Sequence, residues 1–121
     1  VQYNLPVKQF ILNNERLGMV RQWQELLHGE RYSHSWSDAL PDFVKLADAF
    51  GAKGIMVSDP ADLDDAILEM LSYDGPVLFD CLVEKHENCF PMIPSGEPHN
   101  KMLLGEAETG DAIGSSGAVL V

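Results

Sequence analysis

Basic residues are scarce in this sequence. It contains 8 Lys and Arg against 19 Asp and Glu, which gives the 121-residue chain a formal net charge of −11. Proteins that bind nucleic acid or anionic membranes need clustered Lys and Arg to neutralise phosphates. No such patch is visible, so we expect neither nucleic acid nor a membrane as a partner. The acidic residues lie on predicted helix faces, as at 59–65, which is typical of a solubilising surface.

Cysteines and long apolar runs are also few. Cys81 and Cys89 are the only cysteines and form no C-x-x-C pair, which argues against a structural zinc site. We interpret them as free thiols, buried or half-buried, in a reducing compartment, and we therefore expect a cytoplasmic protein. No apolar run approaches the length of a membrane span, and the first residues do not resemble a signal peptide.

An initiator methionine is absent as well. The chain starts at Val1, one short loop before an apolar segment that we predict to be a core strand. Both features indicate a piece of a longer polypeptide. The length itself allows one domain with a modest hydrophobic core.

The hydrophobic pattern predicts the order β-α-α-β-α-β. We predict strands over 7–12, 54–58 and 77–83, and a helix over 17–28 on which Val20, Trp23 and Leu27 share a face. Alternation of this kind is typical of a parallel sheet. The predicted fold class is therefore α/β, a three-layer α-β-α arrangement with a mainly parallel sheet, as part of a domain whose other strands precede Val1.

Two further helices are delimited by proline and glycine. Pro41 is predicted in the first turn of a helix that ends at Gly51. Its expected apolar face comprises Leu40, Phe43, Ala47 and Phe50. Asp59 is the predicted N-cap of the third helix, with Pro60 at its first position. The expected buried stripe of that helix comprises Leu63, Ile67, Met70 and Leu71.

The pair Asn13-Asn14 follows the first predicted strand directly. Ligands of α/β sheets bind at the carboxyl ends of parallel strands. An amide oxygen is a hard, neutral ligand that suits Mg²⁺, an ion that shares its coordination shell between protein oxygens and phosphates. A simple Asx turn explains a bare Asn-Asn equally well, so the residues that follow decide between the two interpretations.

Those residues carry a family resemblance. The segments at 7–14, 17–26 and 31–35 read VKQFILNN, LGMVRQWQEL and RYSHS, and 40–47 and 91–96 add LPDFVKLA and PMIPSG. Together they resemble the large, catalytic subunit of acetolactate synthase (acetohydroxyacid synthase) over roughly residues 1–105. Many thiamine-diphosphate enzymes share Asn-Asn, whereas the Gly-Met-Val-x-Gln-Trp run followed by Arg-Tyr-Ser-His is far more specific.

The resemblance implies a thiamine-diphosphate-binding fold and a set of site residues. The side chain of Asn14 and the backbone carbonyl of Arg16 are the implied Mg²⁺ ligands. Asn13, Asn14, Gly18 and Met19 are the implied cofactor contacts, although Asn13 suits a turn-orienting role equally well. Met19, Val20 and Trp23 are the implied substrate pocket. On spacing alone Val20 and Trp23 would be core residues of a helix; the match favours the site role.

The implied reaction is that of a thiamine-diphosphate-dependent transferase. Such an enzyme decarboxylates pyruvate and condenses the hydroxyethyl unit with pyruvate or 2-ketobutyrate, in branched-chain amino-acid biosynthesis. The resemblance also implies FAD on a middle domain outside this chain, a homodimer or homotetramer, and room for a small regulatory subunit. Residues 1–86 would be the C-terminal half of the thiamine-diphosphate-binding domain, 87–104 a C-terminal arm that covers the active site, and 105–121 a mobile tail.

One departure bears on activity. The family's second metal ligand is an aspartate in an upstream Gly-Asp-x motif, which does not precede Asn13 here. The activating glutamate of the superfamily belongs to another domain. We therefore expect the isolated chain to be catalytically silent, with no catalytic residue of its own.

Two alternatives remain open. One is another thiamine-diphosphate-dependent 2-keto acid decarboxylase or carboligase, and the other is a non-catalytic α/β binding module. Weaker site candidates, which suit a solvated loop equally well, are Arg21, Arg31, Tyr32, Ser33 and His34.

Overall fold

A computed structural model describes residues 2–37 and 39–105. These residues form two compact units. We call residues 2–15 and 39–85 the sheet unit, and residues 16–37 and 86–105 the helix–arm unit. The predicted mobile tail lies almost entirely outside the described residues. Within the described part of the chain, no helix combines the length and the apolar character that crossing a membrane requires.

A three-stranded parallel sheet organises the sheet unit. The strands are β1 (Lys8–Asn13), β2 (Lys53–Val57) and β3 (Val77–Leu82), in the spatial order β1-β3-β2. Phe79 in the middle of β3 stands beside Phe10 of β1 and Ile55 of β2. Pairing on both sides explains why β3 is the most buried strand. The predicted parallel α/β fold is confirmed, with each strand within one residue of its predicted limits.

Helices α2 (Phe43–Ala49) and α3 (Leu63–Ser72) cover opposite faces of this sheet. Gly54 faces α2, since a Cβ there would lie 2.6 Å from the Cα of Val44. The next residue, Ile55, belongs to the core that packs against α3. Because successive strand residues point to opposite faces, the two helices form the outer layers of the predicted three-layer arrangement.

The α3 face of the sheet holds the hydrophobic core. Phe79 is fully buried, and the ring of Phe10 stacks on it with a centroid distance of 4.4 Å. The other buried members of the core are Ile55, Val57, Ala66, Met70, Val77 and Cys81. Leu63 and Ile67 pack against this cluster, as the predicted stripe requires. The prediction that Leu71 belongs to the buried stripe is wrong, because Leu71 is exposed and Ala66 is buried instead.

The predicted starts of two helices need correction. Asp42 caps α2, because its side chain accepts a hydrogen bond from the Lys45 N–H at 3.0 Å, and Pro41 is not in the first turn as predicted. Pro41 therefore precedes the helix. Asp59 does cap, accepting from the Ala61 N–H at 2.9 Å, but the turn it opens is a 3₁₀ helix, Pro60–Asp62, that leads into α3.

The predicted apolar face of α2 is only partly correct. Ala47 is buried and Phe43 half-buried, whereas Leu40 and Phe50 are exposed. Phe43, Ala47 and Phe50 border an apolar groove along β1 and β3. Gly51 follows α2 with a φ of +71°, a conformation that suits glycine and ends a helix there.

The helix–arm unit contains helix α1 (Gly18–Leu27), the loop after it, and a segment from residue 86 that includes a 3₁₀ helix, His99–Lys101. Met92 and Leu103 pair in an isolated antiparallel bridge, with N–H···O distances of 2.9 and 2.7 Å. Cys89 in this segment is exposed, contrary to expectation, whereas Cys81 in β3 is buried.

The close approach of α2 to β2 makes Gly54 a sensitive position. We expect Gly54→Ala in the full-length protein to lower the free energy of opening of the sheet by about 1–3 kcal/mol, because the new methyl group would meet the Val44 backbone. Amide hydrogen exchange of β2 measures this quantity. Gly105→Ala is the control, since a Cβ there meets nothing within 4 Å. Equal exchange in the two variants would contradict the close packing.

Candidate functional site

Asn13 ends β1 and uses its whole side chain in the fold. Its Nδ2 donates to Asp80 Oδ1 at 2.9 Å, and its Oδ1 accepts the Glu15 N–H at 3.1 Å. The first bond crosses to the central strand and the second closes an Asx turn. Its backbone carbonyl accepts the Val83 N–H at 3.0 Å. Asn13 therefore orients the turn, and its predicted contact with a cofactor stays a prediction.

Asp80, the partner of Asn13 in β3, was not among the residues singled out from the sequence. Its carboxylate is buried within β3, between neighbours that are mostly apolar, and it accepts the amide of Asn13. A buried carboxylate requires such hydrogen bonds. The available signal was one acidic residue inside the otherwise apolar strand Val77–Leu82.

Asn14 lies in the turn that Asn13 holds. Glu15 has a φ of +53°, and its carboxylate forms an ion pair with Lys85, which follows β3. The turn is thus fixed on both sides of Asn14, which is half-buried at the carboxyl edge of a parallel sheet. A neutral amide oxygen held at this edge fits an Mg²⁺ ion whose remaining ligands include phosphate oxygens.

The other predicted site residues begin the helix–arm unit. The backbone of Arg16 pairs with Trp36 in an isolated antiparallel bridge, and the Leu17 N–H donates to the Ser35 carbonyl at 2.8 Å. These contacts anchor the chain just before Gly18 and Met19, the first residues of α1. The start of α1 is therefore tied to the loop that follows the helix.

Helix α1 exposes three apolar residues in its first two turns. Met19, Val20 and Trp23 are 50%, 46% and 51% exposed. They share one face, because residues three and four apart are neighbours on a helix. Val20 and Trp23 are therefore outside the core of the described residues, and their site role stays a prediction. The predicted substrate residues lie together on an accessible apolar surface.

The buried side of α1 is polar. Arg21 and Gln22 are 2% and 1% exposed. Arg21 forms an ion pair with Glu25, and its Nη2 donates to Asn88 Oδ1 and to the carbonyls of His86 and Glu87. Arg21 was a weak candidate for binding substrate, but its guanidinium serves the interior of the helix–arm unit instead.

Glu25 completes this polar cluster. Asn88 Nδ2 donates to its Oε1 at 2.7 Å and the Tyr32 hydroxyl donates to its Oε2 at 3.1 Å. Burial raises the pKa of Glu25, but the bonds from Asn88 and Tyr32 and the charge of Arg21 outweigh it, so that pKa lies below the ordinary value. The carboxylate thus stays ionised at neutral pH. The stability it contributes is lost only as the pH falls through this lowered pKa.

The remaining candidates do not converge. Arg31, Ser33 and His34 are exposed, and Arg31 Nε donates to the His28 carbonyl at 2.9 Å. Over residues 2–37 and 39–105, no group of three or more His, Cys, Asp or Glu side chains is arranged to hold a metal. The predicted ligands here are an Asn side-chain oxygen and a backbone carbonyl, so this finding does not bear on them.

Comparison with known proteins identifies the family. Residues 1–81 match the family model of the thiamine pyrophosphate enzyme, C-terminal TPP binding domain. The chain belongs to the thiamine pyrophosphate enzymes. The match supports thiamine diphosphate, the cofactor that the resemblance implied.

Relatives of this thiamine pyrophosphate enzyme domain carry more specific names. The acetolactate synthase large subunit of Pyropia yezoensis is 48% identical over 103 residues, which are 84% of this chain and 18% of that protein. The acetolactate synthase isozyme 2 large subunit of Escherichia coli K12 is 42% identical over 99 residues, 82% of this chain and 18% of that protein. The resemblance to acetolactate synthase large subunits is confirmed, and the chain spans about a fifth of these relatives.

Solved structures confirm the fold of this domain. The thiamine diphosphate-dependent 4-hydroxybenzoylformate decarboxylase of Rhodococcus jostii RHA1 superposes with a TM-score of 0.60 at 30% identity, over 72% of this chain and 16% of that one. A benzoylformate decarboxylase from Polynucleobacter necessarius gives a TM-score of 0.63 at 28% identity, over 73% of this chain and 16% of that one.

Proposed function

We propose that this chain is part of an acetolactate synthase large subunit, a transferase. The complete enzyme would release CO₂ from pyruvate and join the remaining two-carbon unit to a second pyruvate, giving acetolactate, or to 2-ketobutyrate, giving acetohydroxybutyrate. The observation that carries the proposal is the 48% identity with an acetolactate synthase large subunit over 84% of the chain. Thiamine diphosphate, when bound, supplies the electron sink for decarboxylation.

Asn14 is proposed as the Mg²⁺ ligand that anchors the diphosphate. Its position supports this role, since Asn13 and the Glu15–Lys85 ion pair fix the turn around it. A backbone turn that is already held costs little to order when a side chain on it binds a metal. The backbone carbonyl of Arg16, two residues on, is the second proposed ligand, and Mg²⁺ readily combines a few protein oxygens with phosphate oxygens.

The exposed face of α1 is proposed to contact the reactants. Gly18 and Met19 would lie against the cofactor, and Met19, Val20 and Trp23 would contact the second 2-keto acid. An indole wall distinguishes an ethyl from a methyl group by apolar contact, which contributes about 1–3 kcal/mol per methylene. The accessibility of these three side chains in the helix–arm unit supports the role.

Product analysis tests the proposed function. The full-length protein is incubated with pyruvate, thiamine diphosphate and Mg²⁺, and the products are identified by mass spectrometry. We expect acetolactate, and acetohydroxybutyrate when 2-ketobutyrate is added. Protein without Mg²⁺ is the control and should form much less product. Full-length protein that forms neither compound contradicts the proposal.

A simple 2-keto acid decarboxylase is the second candidate. Two superposing structures are named as decarboxylases of aromatic 2-keto acids, at 28% and 30% identity. This activity would release an aldehyde instead of joining two molecules. Acetaldehyde as the main product from pyruvate, or benzaldehyde from benzoylformate, would favour this candidate over acetolactate synthase.

Several further properties expected from the sequence stay predictions. They are FAD on a separate domain, a homodimer or homotetramer, a small regulatory subunit, and a cytoplasmic location. The catalytic silence of the isolated chain is also a prediction. Mixing the isolated chain with pyruvate, cofactor and Mg²⁺ tests it, and turnover would contradict it.

Trp23→Leu in the full-length protein is expected to lower the preference for 2-ketobutyrate over pyruvate by about tenfold, the lower end of what one methylene contributes. The measurement is the ratio of acetohydroxybutyrate to acetolactate when both acids compete. Trp36→Leu is the control for the loss of a tryptophan, because it replaces the other tryptophan of the helix–arm unit, which lies outside α1. An unaltered ratio in Trp23→Leu would deny this residue a part in specificity.

A further inference from the structure

Helix α1 reverses the usual distribution of residues on a surface helix. Such helices bury an apolar stripe and expose their polar residues. Here Arg21 and Gln22 are the buried residues, and Met19, Val20 and Trp23 are about half exposed. Leu26 and Leu27 at the end of the helix are half-buried, so apolar contacts contribute there. Directional polar contacts hold the turn that contains Arg21 and Gln22.

The first of these contacts is the Arg21 cluster. A buried guanidinium is costly unless its charge and its N–H groups find partners. Arg21 meets a carboxylate on its own helix, Glu25, and three oxygens of residues 86–88. Asn88 accepts from Arg21 and donates to Glu25, so one amide joins both members of the ion pair.

The second contact is a reciprocal pair one residue further along. Gln22 Nε2 donates to the Cys89 carbonyl at 3.0 Å, and the Cys89 N–H donates to Gln22 Oε1 at 2.7 Å. A side-chain amide thus replaces a strand-like backbone partner for residue 89. Because both its donor and its acceptor are used, this pair fixes the distance and the rotation of Gln22.

Both contacts act on one side of α1. Consecutive residues are about 100° apart around a helix, so Arg21 and Gln22 define a direction that a small rotation would disrupt. The face that carries Met19, Val20 and Trp23 is set by the same rotation. Apolar packing tolerates sliding more readily than paired hydrogen bonds do, because it is non-directional.

We propose that Gln22 and Asn88 are positioning residues for specificity: residues 86–89, through the Arg21 cluster and the Gln22–Cys89 pair, set the rotation of α1 and so the placement of Trp23 toward the second 2-keto acid. This inference rests on the proposed function. Neither Gln22 nor Asn88 is proposed to contact the substrate. Both act through the helix that carries Trp23.

The test uses the full-length protein with Gln22→Ala and, separately, Asn88→Ala. Arg21 itself is left intact, because removing it would strand Glu25 and endanger folding. Two quantities are measured. One is the product ratio with competing pyruvate and 2-ketobutyrate, and the other is amide hydrogen exchange of residues 18–27. Met70→Ala, a core substitution in the sheet unit, is the matched destabilising control. Trp23→Leu is the positive control for the ratio.

Each variant is expected to shift the product ratio in the direction of Trp23→Leu by roughly threefold or more, part of the tenfold or larger effect that one methylene can have. Exchange across α1 should quicken by roughly fivefold, the equivalent of about one hydrogen bond. Met70→Ala should change neither the ratio nor exchange in α1.

Two results overturn the inference. One is unchanged exchange in α1, since the contacts would then not hold the helix. The other is faster exchange with an unchanged ratio, since the helix would then be held without effect on specificity. A wild-type protein that forms neither product overturns the proposed function instead, and the exchange data still decide whether residues 86–89 hold α1.

Discussion

Asn14→Ala in the full-length protein is expected to weaken Mg²⁺-dependent binding of thiamine diphosphate by at least about tenfold. Residues that merely orient metal ligands contribute about 10- to 100-fold to metal affinity, so the loss of a ligand itself should cost no less. The surrounding turn should persist, because Asn13 and the Glu15–Lys85 pair hold it. Calorimetric titration of the cofactor at fixed Mg²⁺ measures the effect.

Asn14→Asp is the matched variant for this titration. It keeps an oxygen at the same place and adds a negative charge that suits Mg²⁺, so it should retain more cofactor affinity than Asn14→Ala. Hydrogen exchange of β1 and β3 shows whether the sheet is intact in both variants. If Asn14→Ala binds the cofactor as tightly as the wild-type protein, the side chain is not a ligand.

Phe79→Ala is expected to have the largest effect on stability, a loss of about 3–5 kcal/mol. Phe79 is fully buried in the central strand, and its ring stacks on Phe10 at 4.4 Å. Truncation would leave a cavity where both neighbouring strands and α3 meet. Amide exchange of β2 and β3 in the full-length protein gives the free energy of opening of this sheet.

Phe79→Leu controls for the loss of the ring without the cavity. Swaps that nearly conserve volume usually cost less than about 1.5 kcal/mol, so this variant should lie well above Phe79→Ala in stability. Asn14 should still bind the cofactor in Phe79→Leu, because β1 and its turn remain in register. Similar stabilities of the two variants would contradict the central place of Phe79 in the core.

Much of the sheet unit was predictable because its signals are local. The apolar run of β3 lies between Gly75-Pro76 and polar residues, and Asp59-Pro60 marks a helical start whatever surrounds it. The predicted start of α2 was wrong, because Pro41 suits a first helical turn and Asp42 suits an N-cap. In the structure the Asp42 side chain accepts a hydrogen bond from the Lys45 N–H, so the helix begins after Asp42.

The helix–arm unit was harder, because its determinants lie far apart in the chain. Arg21 and Gln22 are on a predicted helix, and the sequence of that helix does not show that they will form hydrogen bonds with Asn88 and Cys89. A pattern that puts Val20 and Trp23 on one face indicates a core under the usual rule, and here that face is exposed. The site role of Trp23 came from the family resemblance instead.

The arrangement at Asn13 and Asn14 depends partly on the local sequence pattern and partly on a contact distant in the chain. The place of Asn13 and Asn14 at the carboxyl end of a parallel strand followed from the local pattern. The difference between them did not, because it depends on Asp80, which is 67 residues away in the chain and binds the amide of Asn13. That bond joins Asn13 to β3, and the metal role of Asn14 stays a proposal.

A crystal structure of the full-length protein with thiamine diphosphate and Mg²⁺ would test the proposed metal role of Asn14 most directly. We predict the metal at about 2.1 Å from Asn14 Oδ1, the usual Mg²⁺–oxygen distance, with diphosphate oxygens in the same shell. A metal bound to the diphosphate with the Asn14 side chain outside its coordination shell would contradict the proposal that Asn14 is an Mg²⁺ ligand.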